Sequence, residues 1–179
     1  MKVEELALPG VLLLEPSVHE DARGFFTEAW RADRYAALGI GPFVQDNHSR
    51  SRAGVLRGLH YQVAHPQGKL LHVARGTIWD VVVELRPESP RFGRHVAVEL
   101  TVGRQLWVPP GYGHGFVVLS DEADVLYRCT DVWQPGDAFG VRWDDGSLAI
   151  PWPVAAPTLS AADAALPTLA TIERARLPR

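Results

Sequence analysis

The sequence predicts a single mostly-β domain over residues 1–179, a sandwich or barrel with short peripheral helices. Three observations carry that reading. Fourteen prolines and sixteen glycines cut the chain into short pieces, which favours strands and turns over long helices. The segment TIWDVVVELR (Thr77–Arg86) is rich in β-branched residues and bounded by Gly76 and Pro87. Runs of this kind recur along the chain with turn signals between them, the pattern of a sandwich or barrel.

In chain order, the first strand is expected at Val11–Leu14, an apolar run broken by Pro16. DARGFFTEAW (Asp21–Trp30) reads as a turn followed by a strand, with Arg23 and Glu28 solvated. A short helix is expected over Arg31–Leu38, with Gly39 placed to close it. QDNHS (Gln45–Ser49) is a polar cluster of the kind that most often forms a loop. Further strands are expected at Val55–Gln62, Leu70–Ala74, Thr77–Arg86, His95–Leu100, Gln105–Val108, Gly115–Leu119, Val125–Asp131 and Gly140–Trp143. A C-terminal helical region begins at about Ala161 and breaks at Pro167. Its entry, TLSAADAALP, gives Ser160 and Asp163 the spacing of a helix capping box.

Composition excludes several classes of function. A formal net charge of −3 with no basic excess argues against nucleic acid. One cysteine, Cys129, leaves no intrachain disulfide and fits a reducing compartment. The apolar N-terminal run is too short for a signal-peptide core or a membrane span. A cytoplasmic protein, with neither nucleic acid nor membrane as partner, is expected. No Gly-rich nucleotide loop of the GxGxxG or GxxxxGK[ST] type occurs, nor a GxSxG elbow. No HxH or HExxH pair points to a metal.

Charged and polar residues within apolar runs are the candidates for chemistry, because buried charge is costly unless it is paired or used. VLRGLHYQ (Val55–Gln62) carries Arg57 and His60, with Lys69 following in QGKLLHV. Strict alternation separates the first two: His60 and Gln62 share one face, and Arg57, Leu59 and Tyr61 the other. Gly58 can mark a bulge that re-aims one of them, and periodicity leaves both arrangements open. PPGYGHGF places His114 between two glycines ahead of an apolar strand, either an incidental turn residue or a site. VLYRCTDVW sets Tyr127, Cys129, Asp131 and Trp133 on one strand face, a pattern that is usually packing.

Taken together, DARGFFTEAW, QDNHSRS, GVLRGLHYQ, QGKLLHVARGTIWDVVVELRPESPRFG, QLWVPPGYGHGF, VLYRCT, WDDGSLAIPWP and LSAADAALP resemble the dTDP-4-dehydrorhamnose 3,5-epimerases, a family of the cupin superfamily. The resemblance covers nearly the whole chain. It implies a cupin-type jelly roll, a homodimer exchanging N-terminal strands, and no metal or organic cofactor. The substrate it implies is a dTDP-linked 4-keto-6-deoxy sugar, dTDP-4-keto-6-deoxyglucose, whose keto group acidifies the protons on C3 and C5.

By position, the resemblance makes His60 the base, Asp163 the carboxylate that orients it, Lys69 the cation beside the enolate and Tyr127 the acid on the opposite face. Imidazole suits the base because its pKa lies near working pH. The same resemblance gives Arg23, Glu28 and Arg57 to the diphosphate portion and Gln45, Asp46 and Asn47 to the nucleotide. Phe25 becomes a candidate for stacking on thymine, and His114 a neighbour of the sugar. Trp133 stands where many members carry a tyrosine, and Ala138 and Ala162 where some carry a glutamate and a lysine. Alternatives are an epimerase that inverts only C3 or C5, a non-catalytic sugar-nucleotide-binding cupin, and a metal-dependent cupin.

Overall fold

Strands rich in alternating apolar residues have two faces, and here they stack into two antiparallel sheets. The computed structural model describes residues 1–179. One sheet has six strands in the order β1 (Lys2–Glu5), β2 (Leu12–Glu15), β10 (Gln105–Val108), β7 (Lys69–Arg75), β12 (Glu122–Cys129) and β5 (Gln45–Arg52). The other has five, in the order β13 (Ala138–Gly140), β6 (Leu56–Gln62), β11 (Tyr112–Val118), β8 (Thr77–Glu84) and β9 (His95–Thr101). A separate hairpin, β3 (Val18–Asp21) with β4 (Gly24–Thr27), stands apart with nearly every residue exposed. This is the mostly-β sandwich that the turn and strand signals predict.

The period of two decides what fills the interior. Leu71 and Val73 of β7, Ile78 and Val82 of β8, and Phe116 and Val118 of β11 point between the sheets and are buried together. Alternate residues point outward. Leu70 and Trp107 pack under Tyr35 of the helix α1 (Ala32–Ala36), which is closed by Gly39 at φ +75°. Val81 and Val83 pack beneath the C-terminal tail through Val141, Leu148 and Leu177. No helix is long and apolar enough to cross a membrane.

The tail matters because it carries Asp163. A bridge between Val55 and Thr158 lays it beside β6, and the Asp145 carboxylate accepts the backbone N–H of Leu169 at 2.6 Å. The short helix α2 (Ala161–Ala164) follows directly.

Several expectations need correction. Gln45–Arg52 is an eight-residue strand and not a loop, paired with β12 along its whole length. Its inward row is Gln45, Asn47, Ser49 and Ser51 and its outward row is Asp46, His48, Arg50 and Arg52, so both faces are polar and no hydrophobic period exists to be read. The C-terminal region is only one turn of α-helix and two 3₁₀ turns, Leu169–Thr171 and Arg174–Arg176. Pro167 lacks an N–H and stops α2 from propagating. Strand β12 ends at Cys129, before Asp131 and Trp133, and β13 lies at Ala138–Gly140 rather than Gly140–Trp143. The short β1 and β3 have exposed, mostly polar residues, and sequence periodicity does not mark them.

Candidate active site

The interior of the sandwich is apolar at one end and polar at the other. The polar end holds an open cavity of about 450 Å³. From the six-stranded sheet, Gln45, Asn47, Lys69 and Tyr127 line it; from the five-stranded sheet, His60, Gln62 and Ala138 do. Gln67 and Trp133, on the loops after β6 and β12, complete its rim.

A break in strand register puts His60 there. Along the β6–β11 pair, His114 faces His60, but Phe116, two residues on, faces Arg57, three residues back. The extra residue on β6 is a bulge. Gly58 has φ +123°, and a Cβ there would lie 2.6 Å from the Gly115 Cα and 2.8 Å from the His114 carbonyl oxygen. Only a glycine pair lets the two backbones approach this closely. The bulge turns both Arg57 and His60 toward the facing sheet, where Arg57 Nε donates to Ser51 Oγ on β5 at 3.0 Å. Of the two arrangements open to periodicity, the structure takes the bulged one.

His60 is bonded to the tail. Its Nε2 lies 2.5 Å from Asp163 Oδ1. Ser160 Oγ donates to Asp163 Oδ2 at 2.8 Å and accepts the Asp163 backbone N–H at 3.0 Å. Capping and orientation are therefore compatible: the main chain of Asp163 is capped while its carboxylate faces the imidazole. Burial pushes the Asp163 carboxyl up, but the hydrogen bonds from His60 and Ser160 outweigh it and hold the group below the ordinary carboxylate value. An ionised Asp163 makes Nε2 the protonated nitrogen of His60 and leaves the Nδ1 lone pair free.

Across the cavity, Lys69 and Cys129 are register partners on β7 and β12, and Tyr127 is two residues from Cys129. Burial lowers the Lys69 pKa, opposed by the neighbouring Cys129 and Asp80. No carboxylate lies within salt-bridge distance of its ammonium, so that charge is open to a ligand. Burial raises the Tyr127 pKa, so the phenol keeps its proton. On β11, opposite His60 in register, His114 Nε2 lies 2.9 Å from both oxygens of Asp80; both residues are buried, and neither lines the cavity.

Other expected site residues lie elsewhere in the chain. Arg23 is on the exposed β3–β4 hairpin, paired with Asp21, and Phe25 beside it is 56% exposed. Glu28 is paired with Arg34 at 2.9 Å, and Asp46 faces outward toward Arg128 at 3.5 Å. None of these four lines the cavity. Sequence reasoning missed Gln62 and Gln67 in the cavity lining, and Asp80 as the buried partner of His114. Asp80 had a readable signal, a carboxylate in the middle of the β-branched run TIWDVVV; Gln62 shares the face of His60 by alternation, and Gln67 had no signal. No three His, Cys, Asp or Glu side chains converge in a metal-ligating group.

A protein-family model described as dTDP-4-dehydrorhamnose 3,5-epimerase matches residues 5–171. The chain belongs to this family. The enzyme of that name from Pseudomonas aeruginosa is 49% identical over 168 residues, covering 91% of this chain and 93% of the relative. The crystal structure of a dTDP-6-deoxy-D-glucose-3,5-epimerase from Legionella pneumophila, in complex with dTDP-4-keto-L-rhamnose, superimposes with a TM-score of 0.95. It is 45% identical and covers 99% of this chain and 97% of that one. A 3′-monoepimerase from Streptomyces bikiniensis, in complex with dTDP-quinovose, is 36% identical with a TM-score of 0.90, covering 97% of this chain and 91% of that one. The family is an epimerase family, and its cupin-type sandwich is the fold found here.

Proposed function

We propose that this protein epimerises dTDP-4-keto-6-deoxyglucose at C3 and C5, giving dTDP-4-keto-L-rhamnose. The observation that carries the reading is a His60–Asp163 pair on one wall of a cavity whose facing wall presents Lys69 and Tyr127. His60 Nδ1 takes the proton from the carbon next to the keto group. The electron pair of that C–H bond moves onto the C4 oxygen, where the Lys69 ammonium holds the enolate. Fixed charge at such a point contributes about 3–4 kcal/mol. The enolate then collapses, and Tyr127, on the opposite sheet, donates its phenolic proton to the other face of the carbon. Exchange with water resets both groups, and the second carbon repeats the cycle.

Asn47 and Gln45 on the wall and Arg57 near it suit the nucleotide diphosphate, with guanidinium fitted to phosphate. Arg23, Phe25 and Glu28 cannot serve the cavity of their own chain from where they lie. We assign them to the cavity of a second copy, reached by the exposed β3–β4 hairpin, so that the working protein is a homodimer. A lone buried thiol suits a cytoplasmic enzyme. The alternative, inversion at one carbon only, draws on the likeness to the 3′-monoepimerase and on Trp133 at the rim; the higher identity to the 3,5-epimerases favours double inversion. NMR assignment of the product's C3 and C5 configuration tests this. Inversion at both centres is expected, and inversion at one would replace the proposal with the alternative.

A further inference from the structure

Trp133 is the largest side chain on the cavity rim, yet little holds it directly. It is 55% exposed, and its indole makes no hydrogen bond and pairs with no other ring. Residues 132–134 belong to no strand or helix, so no ladder fixes their backbone. Two glutamines from opposite sheets do so instead. Gln45 Oε1 on β5 accepts the Trp133 N–H at 2.8 Å. Gln62 on β6 brackets the same residue: its Oε1 accepts the Gln134 N–H at 2.9 Å, and its Nε2 donates to the Val132 carbonyl at 3.3 Å and the His65 carbonyl at 2.7 Å.

We propose that Gln62 is a positioning residue that sets Trp133 as a wall of the substrate cavity, governing how tightly the sugar nucleotide is held. This rests on the epimerase reading above. Both N–H groups and the carbonyl of its amide are already engaged, so Gln62 has little to offer a ligand itself. Its burial, at 5% exposure, separates it from the other links across this rim. The Asp137 carboxylate accepts the N–H groups of Val63, Ala64 and His65, and His65 pairs with Asp131, but these lie near solvent and water can replace them. Without Gln62, three part-buried hydrogen bonds that tie Val132, Gln134 and His65 to β6 are lost together. The loop then moves, and the flat indole, suited to packing on a sugar or base face, moves with it.

The test combines a double-mutant cycle with amide hydrogen exchange. Gln62→Leu keeps the volume and removes every bond. In steady-state assays with dTDP-4-keto-6-deoxyglucose it is expected to raise KM about tenfold with most of kcat retained, the signature of lost binding and intact chemistry. Trp133→Ala should raise KM similarly, and adding Gln62→Leu to it should cost little more, because both changes remove one interaction. Full additivity, or a fall in kcat with KM unchanged, would overturn the proposal. Hydrogen exchange reads the clamp without reference to activity. The Gln134 amide should be protected in the wild type and exchange faster in Gln62→Leu, while Lys69 and Tyr127 amides stay protected. If the variant fails to fold, the wild type decides: fast exchange at Trp133 and Gln134 would remove the clamp. A wild type that leaves this substrate unchanged would refute the epimerase reading, and with it the role assigned to Gln62 in binding, while the exchange data still report on the clamp.

Discussion

His60 Nε2 and Asp163 Oδ1 lie 2.5 Å apart, although 103 residues separate them in the chain. The contact joins a bulged strand of the five-stranded sheet to a one-turn helix at the end of the tail. It fixes which nitrogen of His60 carries a proton and leaves the lone pair of the other free, as the proposed role of base requires.

Asp163→Asn should keep the hydrogen bond but lose the charge that stabilises the imidazolium. We expect kcat to fall roughly 10²- to 10⁴-fold, the usual range for a general base, with binding of dTDP little changed. Ser160→Ala removes one hydrogen bond from the same carboxylate and should cost about tenfold or less. Titration calorimetry with dTDP and steady-state rates check both. An Asp163→Asn enzyme with unchanged kcat would detach the carboxylate from the chemistry.

The alkaline side of the pH profile should belong to Lys69. Burial lowers its pKa from the ordinary 10.5, so the ammonium is lost earlier than in water as pH rises. Burial raises Tyr127 from the ordinary 10.0, so the phenol's titration moves away from neutral while the ammonium's moves toward it. Proton exchange from the substrate, followed between about pH 7 and 11, should show the same alkaline limb in Tyr127→Phe as in the wild type. Disappearance of that limb in Tyr127→Phe would reassign it to the phenol.

Gly58→Ala places a methyl group 2.6 Å from the Gly115 Cα, at a φ of +123° that side chains rarely adopt. We expect a loss of about 1–3 kcal/mol or more in stability, together with lost activity, because the bulge that aims His60 must shift. Urea unfolding and kcat measure the two. A stable, active Gly58→Ala enzyme would mean that the bulge does not depend on the glycine.

Much of this was legible in the sequence, and the illegible parts have physical reasons. Strand β8 announces itself because Ile78, Val81, Val82 and Val83 are β-branched and it is buried on both faces. Strand β5 does not, because both of its faces are polar: one serves the cavity and the other carries surface ion pairs. His60 stood out as a titratable residue in an apolar run. That Arg57 points to the same side could not be read from β6 alone, because the bulge is set by how closely β11 approaches. Nor could Gln62, whose role lies in the backbone of a loop seventy residues away.

The outer face of β5 and β12 should contribute to acid stability. Asp124 accepts Arg50 Nε and His48 Nε2, each at 2.9 Å, and these bonds pull its pKa from 3.8 to about 2. A carboxyl whose folded pKa is depressed stabilises the fold above its unfolded value, and this contribution is lost as pH falls from 3.8 through about 2. Asp124→Asn should therefore lower stability at neutral pH and flatten the decline in melting temperature over that acid range. An equally steep decline in the variant would place the acid sensitivity elsewhere.

The most direct test is incubation with dTDP-4-keto-6-deoxyglucose in deuterated water, with label and configuration at C3 and C5 followed by NMR in the wild type and in His60→Ala. Deuterium and inversion at both carbons in the wild type, with neither in a folded His60→Ala protein, are expected if His60 is the base. Exchange at a comparable rate in His60→Ala, or none in the folded wild type, would contradict the assignment of this cavity as a two-carbon epimerase site built on His60.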